Sequence, residues 1–189
     1  YDFRNHPVAH LMVGVFGLHN RSEFEIIGYY FGKDDDTGYR KRIGDNCDQF
    51  IDLSGLSHTE AAQRIDRDDV DILIDLMGYT ENKWLEIFAL HPARIQATYL
   101  GYPGTTGGEF MDYIITDKIV TPPEHAPFYT EKFVYLPDCY QVTDGNLNIP
   151  HRPWKRKHFG LPEGAFVFCS FNHTYKIEPV MFDVWMRIM

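Results

Sequence analysis

The sequence predicts an α/β fold, a Rossmann-like parallel sheet with helices on both faces, and two observations support this. Segments rich in β-branched and aromatic residues alternate with helix-forming segments along the first 140 residues, as strands alternate with crossover helices. Turn-forming residues follow several of these segments, at the positions where parallel sheets bind ligands. The predicted strands are residues 24–31, 49–53, 70–76, 95–100, 111–116 and 132–136.

Three helices are predicted in the same region from hydrophobic period and end signals. They cover residues 6–18, 59–68 and 82–90. The first has a single apolar stripe at helical spacing, formed by Val8, Leu11, Met12 and Val15. Ser57 and Glu60 form a capping-box pattern at the start of the second helix, and Pro92 follows the end of the third.

The chain divides into three predicted regions. They are an N-terminal Rossmann-like lobe at 1–140, a linker at 141–164 and the truncated start of a second α/β lobe at 165–189. The last region contains a predicted strand over 165–171 and a helix over 179–189. Residues 2–7 have the character of a loop leaving a strand that lies outside this chain. We therefore expect a fragment of a longer protein, with an exposed apolar face on its last helix.

Composition and charge exclude several classes of function. The chain has 189 residues, of which 44% are hydrophobic, enough for a folded core. Lys and Arg number 18 and Asp and Glu 27, giving a net charge of −9 that disfavours nucleic acid or an anionic membrane as a partner. The basic run at 151–158 is more typical of a solvated linker. No apolar run is long enough for a transmembrane helix, and the first residues lack a signal-peptide pattern.

The cysteines predict the redox environment. Cys47, Cys139 and Cys169 are far apart and form no C-x-x-C pair, so neither a disulfide framework nor a zinc site is predicted. This pattern fits a reducing, cytoplasmic compartment best.

Loops after the predicted strands are the first candidates for a binding site. In parallel sheets, ligands bind beyond the carboxyl ends of the strands, which here are followed by the segments 78–80 and 100–105. Glycine in both segments would let the backbone approach a sugar or phosphate closely. Neither segment is a G-x-G-x-x-G or a P-loop, so simple turn chemistry is the alternative interpretation.

Asp2, His6 and His10 form a second candidate cluster, a carboxylate near two imidazoles four residues apart. A zinc site, ordinary structural histidines and an active-site histidine at a helix N-terminus are all compatible with this spacing. Further along the chain, Lys176 could neutralise a phosphate leaving group, although a solvated lysine would have the same sequence signature.

Five segments taken together resemble the catalytic region of the protein O-GlcNAc transferases. They are residues 2–7 (DFRNHP), 75–80 (DLMGYT), 100–105 (LGYPGT), 110–114 (FMDYI) and 171–176 (FNHTYK). The resemblance implies a GT-B glycosyltransferase, with two Rossmann-like lobes facing each other across a cleft. It further implies inverting transfer of N-acetylglucosamine from UDP-GlcNAc to Ser or Thr hydroxyls of proteins. This chain would supply the first lobe and the start of the second.

The same resemblance implies roles for individual residues. Its catalytic group would be Asp2, His6 and Lys176, with His6 either the base or a positioning residue and Lys176 on the diphosphate. The residues implied to bind substrate are Pro7, His10, Tyr79, Leu100, Gly101, His173 and Tyr175. The chain departs from animal relatives at Val8 and His173, where they have Thr and Gln, so a sugar contact and a nucleotide contact are altered.

The resemblance also implies partners and rival functions. The expected ligands are a nucleotide sugar and acceptor proteins or peptides, with no metal and no cofactor beyond the donor. Tetratricopeptide repeats are expected in the full-length protein. The rivals are an O-fucosyltransferase that uses GDP-fucose and a catalytically inactive module that binds peptides or proteins.

Overall fold

The computed structural model describes residues 1–33, 35–147 and 153–189. These residues form two compact units, Tyr1–Leu147 and Asn148–Met189. No helix of the described residues is long and apolar enough to cross a membrane.

The described residues of the first unit form six strands and four α-helices. The strands are β1 (Ile27–Tyr30), β2 (Gln49–Asp52), β3 (Ile72–Asp75), β4 (Ile95–Tyr99), β5 (Tyr113–Thr116) and β6 (Lys132–Tyr135). The helices are α1 (Pro7–Met12), α2 (Tyr39–Gly44), α3 (His58–Arg67) and α4 (Leu85–Phe88), with short 3₁₀ turns at Val15–Gly17 and Pro123–Phe128. All six predicted strands are therefore present, each with shorter bounds than the sequence indicates.

Every strand pairing in the described residues is parallel, which confirms the predicted α/β class. The strands form two sheets instead of one, however: β1 pairs with β2, and the other sheet has the order β3-β4-β5-β6. A cavity of about 880 Å³ lies between the two sheets, lined by residues of β1 and β3. The edges of β1 and β3 face this cavity and are not hydrogen-bonded to each other in the part of the chain that is described.

Helices cover both faces of the strands, as predicted. The side chains of a strand alternate between its faces, so Tyr30 and Phe50 pack against the α1 and α2 cluster while Tyr29 and Ile51 pack against the α3 and α4 cluster. The buried members of the first cluster are Phe3, Val8, Ala9, Met12, Val13, Phe16, Ile43, Tyr99 and Leu100. The second cluster contains Leu53, Ala61, Ala62, Ile65, Leu73, Leu85, Ile87, Phe88 and Met111.

The helix boundaries differ from the sequence prediction at two places. The helix predicted over 6–18 ends at Met12 and continues only as a 3₁₀ turn, because Gly14 and Gly17 weaken the helix and approach Asp144 and Asn46 closely. Helix α2 follows Gly38, whose φ is +80°, and was not predicted. It spans six residues, too few for a hydrophobic period to be visible.

The capping box at the start of α3 is present as predicted. Ser57 Oγ accepts a hydrogen bond from the backbone N–H of Glu60 at 3.3 Å, and the Glu60 carboxylate accepts one from the N–H of Ser57 at 2.8 Å. Two otherwise unpaired N–H groups are thereby satisfied, which stabilises a helix by about 1 kcal/mol.

The predicted linker, 141–164, falls in both units. Residues 141–147 pack with the first unit, where Val142 contacts the α1 cluster and the Asp144 carboxylate accepts a hydrogen bond from Arg42 at 3.2 Å. The linker continues into the second unit, where Arg156–Phe159 form a 3₁₀ turn, and part of the basic run lies outside the described residues.

The second unit contains helix α5 (Pro179–Ile188), close to the predicted helix, and a 3₁₀ turn at Thr174–Lys176. The strand predicted over 165–171 is not formed, because a strand requires a hydrogen-bonded neighbour and the described residues provide none here. Apolar side chains of α5 are exposed, as expected from the sequence; they are Val180, Met181, Phe182, Val184, Met186 and Ile188.

The three cysteines are free thiols. Cys47 is half-buried against β1, and burial raises its pKa to about 11. Cys139 in the first unit and Cys169 in the second are exposed.

Candidate active site

Three segments meet at one edge of the first unit. The loops after β3 and β4 leave the same edge because the two strands are parallel. The segment before α1 joins them: the Tyr1 amino group lies 3.8 Å from Met77 Sδ, and Phe3 packs in one cluster with Leu100. The sequence-predicted residues Asp2, His6, Tyr79, Leu100 and Gly101 all belong to these segments.

The loop after β3 is shaped by the buried carboxylate of Asp75. It accepts hydrogen bonds from the backbone N–H groups of Met77 at 3.0 Å and Gly78 at 2.7 Å. Burial nevertheless holds the pKa of Asp75 above its ordinary range. Gly78 has a φ of +57°, and a Cβ there would lie 2.4 Å from Cβ of Tyr102. The position therefore requires glycine both for its backbone angle and for the close approach of the next loop.

The loop after β4 begins with a strained residue and a close contact. Leu100 has a φ of +69°, an unusual angle for a residue with a Cβ, and its side chain is buried in the α1 cluster. At Gly101 a Cβ would lie 2.1 Å from the Leu76 carbonyl oxygen, so only glycine lets the two loops touch. These contacts show that the glycines in both segments serve tight packing between loops as well as local turns.

Tyr79 joins the two loops through its ring and its hydroxyl. The ring packs edge-to-face on Tyr102 with a centroid separation of 5.7 Å, and the hydroxyl donates a hydrogen bond to the Thr106 carbonyl oxygen at 2.6 Å. The Tyr79 side chain remains partly exposed, and the Lys83 ammonium lies over its ring, 5.7 Å from the centroid. Close by in sequence, the buried Thr80 hydroxyl has no hydrogen-bond partner among the described residues.

Glu131, at the start of β6, is a residue that the sequence reasoning missed. Its buried carboxylate accepts hydrogen bonds from the Thr106 N–H at 2.7 Å, from the Thr106 hydroxyl and from the Thr105 hydroxyl at 2.7 Å. The Thr130 hydroxyl donates a further bond at 3.2 Å. Burial favours the neutral acid, but the donors from Thr106 and Thr105 outweigh it and place the pKa of Glu131 below its ordinary value.

Asp2 and His6 lie close together at the N-terminus of α1. Asp2 is buried, and its carboxylate oxygen lies 3.6 Å from His6 Nδ1. His6 is the N-cap of α1, and its Nδ1 accepts a hydrogen bond from the Val8 N–H at 3.3 Å. Burial lowers the pKa of His6 below the usual 6.5; the Asp2 carboxylate opposes this shift, whereas positive charge at Arg4 adds to it. The imidazole is therefore neutral at pH 7.

The contacts of His6 Nδ1 define two possible roles for the ring. While Nδ1 accepts from Val8, the neutral ring carries its proton on Nε2 and can only donate there. If Nδ1 instead donates to Asp2, Nε2 gains a lone pair and can accept a proton from a substrate hydroxyl. The described geometry favours the first state, since the contact with Asp2 is longer than a hydrogen bond.

His10 and Pro7 occupy the first helix together with His6. His10 Nε2 lies 2.8 Å from Asn5 Oδ1, and its ring packs against Tyr39 in a tilted arrangement with the centroids 4.7 Å apart. Pro7 is exposed at the first helical position. No group of three or more His, Cys, Asp or Glu residues is arranged to hold a metal within 1–33, 35–147 and 153–189.

The remaining predicted site residues belong to the second unit. His173 is the N-cap of the 3₁₀ turn at Thr174–Lys176, and its ring stacks on Tyr175 with a centroid separation of 5.7 Å. Lys176 Nζ lies 6.0 Å from the Tyr175 ring centroid. All three side chains are exposed.

The fold is that of an α/β lobe, and the candidate site lies beyond the carboxyl ends of parallel strands, where such sheets bind ligands. Comparison with known proteins makes this class specific. A protein-family model described as "Glycosyl transferase family 41" matches residues 1–155 and 153–189, which together include the whole chain. The chain therefore belongs to glycosyltransferase family 41.

Individual relatives agree with this assignment. The chain is 44% identical, over its whole length, to a probable UDP-N-acetylglucosamine–peptide N-acetylglucosaminyltransferase, SEC, of Arabidopsis thaliana, and covers 20% of that protein. Identity to the UDP-N-acetylglucosamine–peptide N-acetylglucosaminyltransferase of Caenorhabditis elegans is 43% over 79% of this chain and 13% of that protein. The chain thus spans at most about a fifth of these relatives.

A solved structure supports the fold as well. The structure of a K341M mutant of the Thermobaculum terrenum O-GlcNAc transferase superposes on this chain with a TM-score of 0.71 and 32% sequence identity. The match covers 74% of this chain and 27% of the transferase chain. The predicted family and GT-B type of fold are thereby confirmed.

Proposed function

We propose that the full-length protein transfers N-acetylglucosamine from UDP-GlcNAc to Ser or Thr hydroxyls of proteins, with inversion. The observation that supports this most directly is the meeting of the Asp2–His6 pair with two interlocked glycine loops at one sheet edge. Together they offer a proton-handling pair beside a closely fitting surface, in a chain of family 41.

The reaction requires three chemical contributions. An acceptor hydroxyl attacks the anomeric carbon, loses its proton and displaces UDP, whose diphosphate takes up negative charge. Asp2 and His6 handle the acceptor side, while Lys176 neutralises the diphosphate, with His173 and Tyr175 beside it. Pro7, His10, Tyr79, Leu100 and Gly101 border the sugar or acceptor. These roles are part of the proposal.

In the proposed mechanism His6 has two states: at rest it is a positioning donor, and during transfer it is the base that accepts the proton of the acceptor hydroxyl. In the first state the Val8 N–H occupies Nδ1, so Nε2 carries the proton and can donate a hydrogen bond to a ligand. If the ring turns toward Asp2 and its proton exchanges through solvent from Nε2 to Nδ1, Nδ1 donates to the Asp2 carboxylate and Nε2 becomes the base.

The cellular setting follows from the same proposal. The three free thiols are typical of a reducing compartment, and we place the protein in the cytoplasm. Its partners would be acceptor proteins or peptides, bound with the help of tetratricopeptide repeats elsewhere in the full-length protein. A cation at Lys176 and the donors of helix N-termini would take the phosphate charge without a metal ion.

The deciding experiment compares donors and lysine variants in the full-length protein. We expect transfer to a Ser-containing peptide from UDP-GlcNAc, and a kcat about a hundredfold lower for Lys176→Ala. The control is Lys157→Ala, an exposed lysine of the same unit, which should retain activity.

Other outcomes would identify the rival functions. Preference for GDP-fucose would favour an O-fucosyltransferase. Peptide binding without transfer from either donor would favour an inactive binding module. Unchanged kcat in Lys176→Ala would remove that residue from the mechanism.

A further inference from the structure

We propose that Glu131 is a positioning residue that fixes the loop after β4 in the conformation that receives the donor sugar. This inference rests on the proposed function, since it concerns the loop that contains Leu100 and Gly101. Glu131 itself is placed behind that loop and acts through it.

The contacts of Glu131 are directed at one short stretch of chain. One carboxylate oxygen accepts from both the backbone N–H and the hydroxyl of Thr106, and the other accepts from the hydroxyls of Thr105 and Thr130. The backbone N–H of Thr106 cannot rotate to another acceptor, and Thr106 is itself buried. An anion at this point therefore determines where residues 105 and 106 lie.

The constraint continues from Thr106 into the loop after β3. The Thr106 carbonyl oxygen accepts the Tyr79 hydroxyl at 2.6 Å, and the Tyr79 ring packs on Tyr102. The start of β6 is thus connected through Thr106 and Tyr79 to both loops of the site. Loss of the Glu131 carboxylate would leave the buried Thr106 N–H without its acceptor. Thr106 and, through it, Tyr79 would then no longer be held in place from the β6 side.

Loss of the Glu131 carboxylate is expected to weaken donor binding more than it destabilises the fold. Glu131 belongs to neither apolar cluster of the first unit. Its hydrogen bonds go to Thr105 and Thr106, beyond the end of β4, and to the adjacent Thr130, and none of them belongs to the strand ladders, so the strands would remain paired without it. The loop that approaches the donor would sample other conformations, and part of the binding energy would be used to reorder it.

The test uses Glu131→Ala, Glu131→Gln and the control Glu124→Ala in the full-length protein. Glu124 is an exposed acid on the neighbouring 3₁₀ turn, so its variant removes the same charge from the surface. Steady-state transfer from UDP-GlcNAc, thermal unfolding, and hydrogen exchange of residues 100–108 would be measured for each variant.

We expect Glu131→Ala to raise the donor KM roughly tenfold or more, with a smaller change in kcat, and to speed exchange of the loop amides. Glu131→Gln keeps one acceptor oxygen and a similar shape, so its KM should lie between those of Glu131→Ala and the wild type. Glu124→Ala should match the wild type in all three measurements.

The proposal is overturned if Glu131→Ala, or Glu131→Gln where the alanine variant does not fold, has wild-type donor KM and wild-type loop exchange. It is also overturned if the only change is a fall in apparent kcat that matches the unfolded fraction, with the donor KM unchanged. Absence of transfer by the wild type would instead overturn the proposed function, while loop exchange in the variants would still decide whether Glu131 holds the loop.

Discussion

The carboxylates of Asp2 and Glu131 are almost equally buried, but they have different kinds of partner. Their exposed fractions are 5% and 4%, respectively. Glu131 is surrounded by threonine donors that fix it as an anion, whereas Asp2 faces an imidazole that can share its proton. Burial alone therefore does not say what a carboxylate does. The partner of the carboxylate determines its role. Hydroxyl and amide donors, which do not give up their protons, hold a carboxylate as a fixed anion, whereas a titratable imidazole forms with it a pair that responds to pH.

The largest effect is expected from a substitution at Gly101 that separates the loops after β3 and β4. A Gly101→Val substitution would place a Cβ 2.1 Å from the Leu76 carbonyl oxygen, and backbone must move to relieve the clash. We expect a loss of about 3 kcal/mol of unfolding free energy in the full-length protein, together with loss of transfer. Urea denaturation would measure the first effect.

Gly55 provides the control for this prediction, because nothing lies within 4 Å of a Cβ built there. Gly55→Val should unfold within about 1 kcal/mol of the wild type. Equal stability of the two valine variants would mean that the loops after β3 and β4 are not in contact.

A smaller effect, confined to pH dependence, is expected from Asp2→Asn. Activity that needs neutral His6 declines as pH falls through the pKa of His6, which lies below 6.5. The Asp2 carboxylate raises this pKa, so its removal should lower the pKa further and move the acid limb of kcat/KM to lower pH, in addition to lowering the rate.

Glu131→Gln is the control for Asp2→Asn in the pH profile, because it removes the charge of a buried carboxylate whose hydrogen bonds go to threonines. In Glu131→Gln the acid limb of the kcat/KM profile should remain at the wild-type pH, even if KM changes. If Asp2→Asn leaves the limb in place as well, or moves it to higher pH, the pairing of Asp2 with His6 has no role in the titration.

The smallest effect is expected from His10→Gln. A protonated His10 lowers the pKa of His6, so a neutral side chain there should raise it and move the acid limb slightly upward. Glutamine can keep a hydrogen bond to Asn5, which His10 Nε2 contacts at 2.8 Å. A downward shift in the pH profile would contradict the arrangement of charges around His6.

Local pattern was sufficient to predict most of the first unit. The apolar runs at β3 and β4 and the Ser57–Glu60 capping box depend on neighbours in sequence, and each formed near its predicted place. The parallel arrangement also followed, because alternating strands and helices leave few other topologies. The division into two sheets did not follow, since it depends on which strand edges meet in space.

The candidate site was only partly predictable for the same reason. Glycine after a strand is visible in the sequence, so Gly78 and Gly101 were found. Glu131 lies 25 residues from Thr106, and nothing local distinguishes it from an exposed acid before a strand. The adjacent threonines at 105 and 106 are the only signal that could have suggested an anion partner. The positive φ of Leu100 had no sequence signal, because Leu rarely adopts it.

The distribution of thiols gives each unit its own chemical handle. Cys139 and Cys169 are exposed, one in each unit, whereas the raised pKa of Cys47, about 11, keeps that thiol largely unreactive at neutral pH. A pair of maleimide dyes would therefore attach once to each unit without any cysteine having to be introduced.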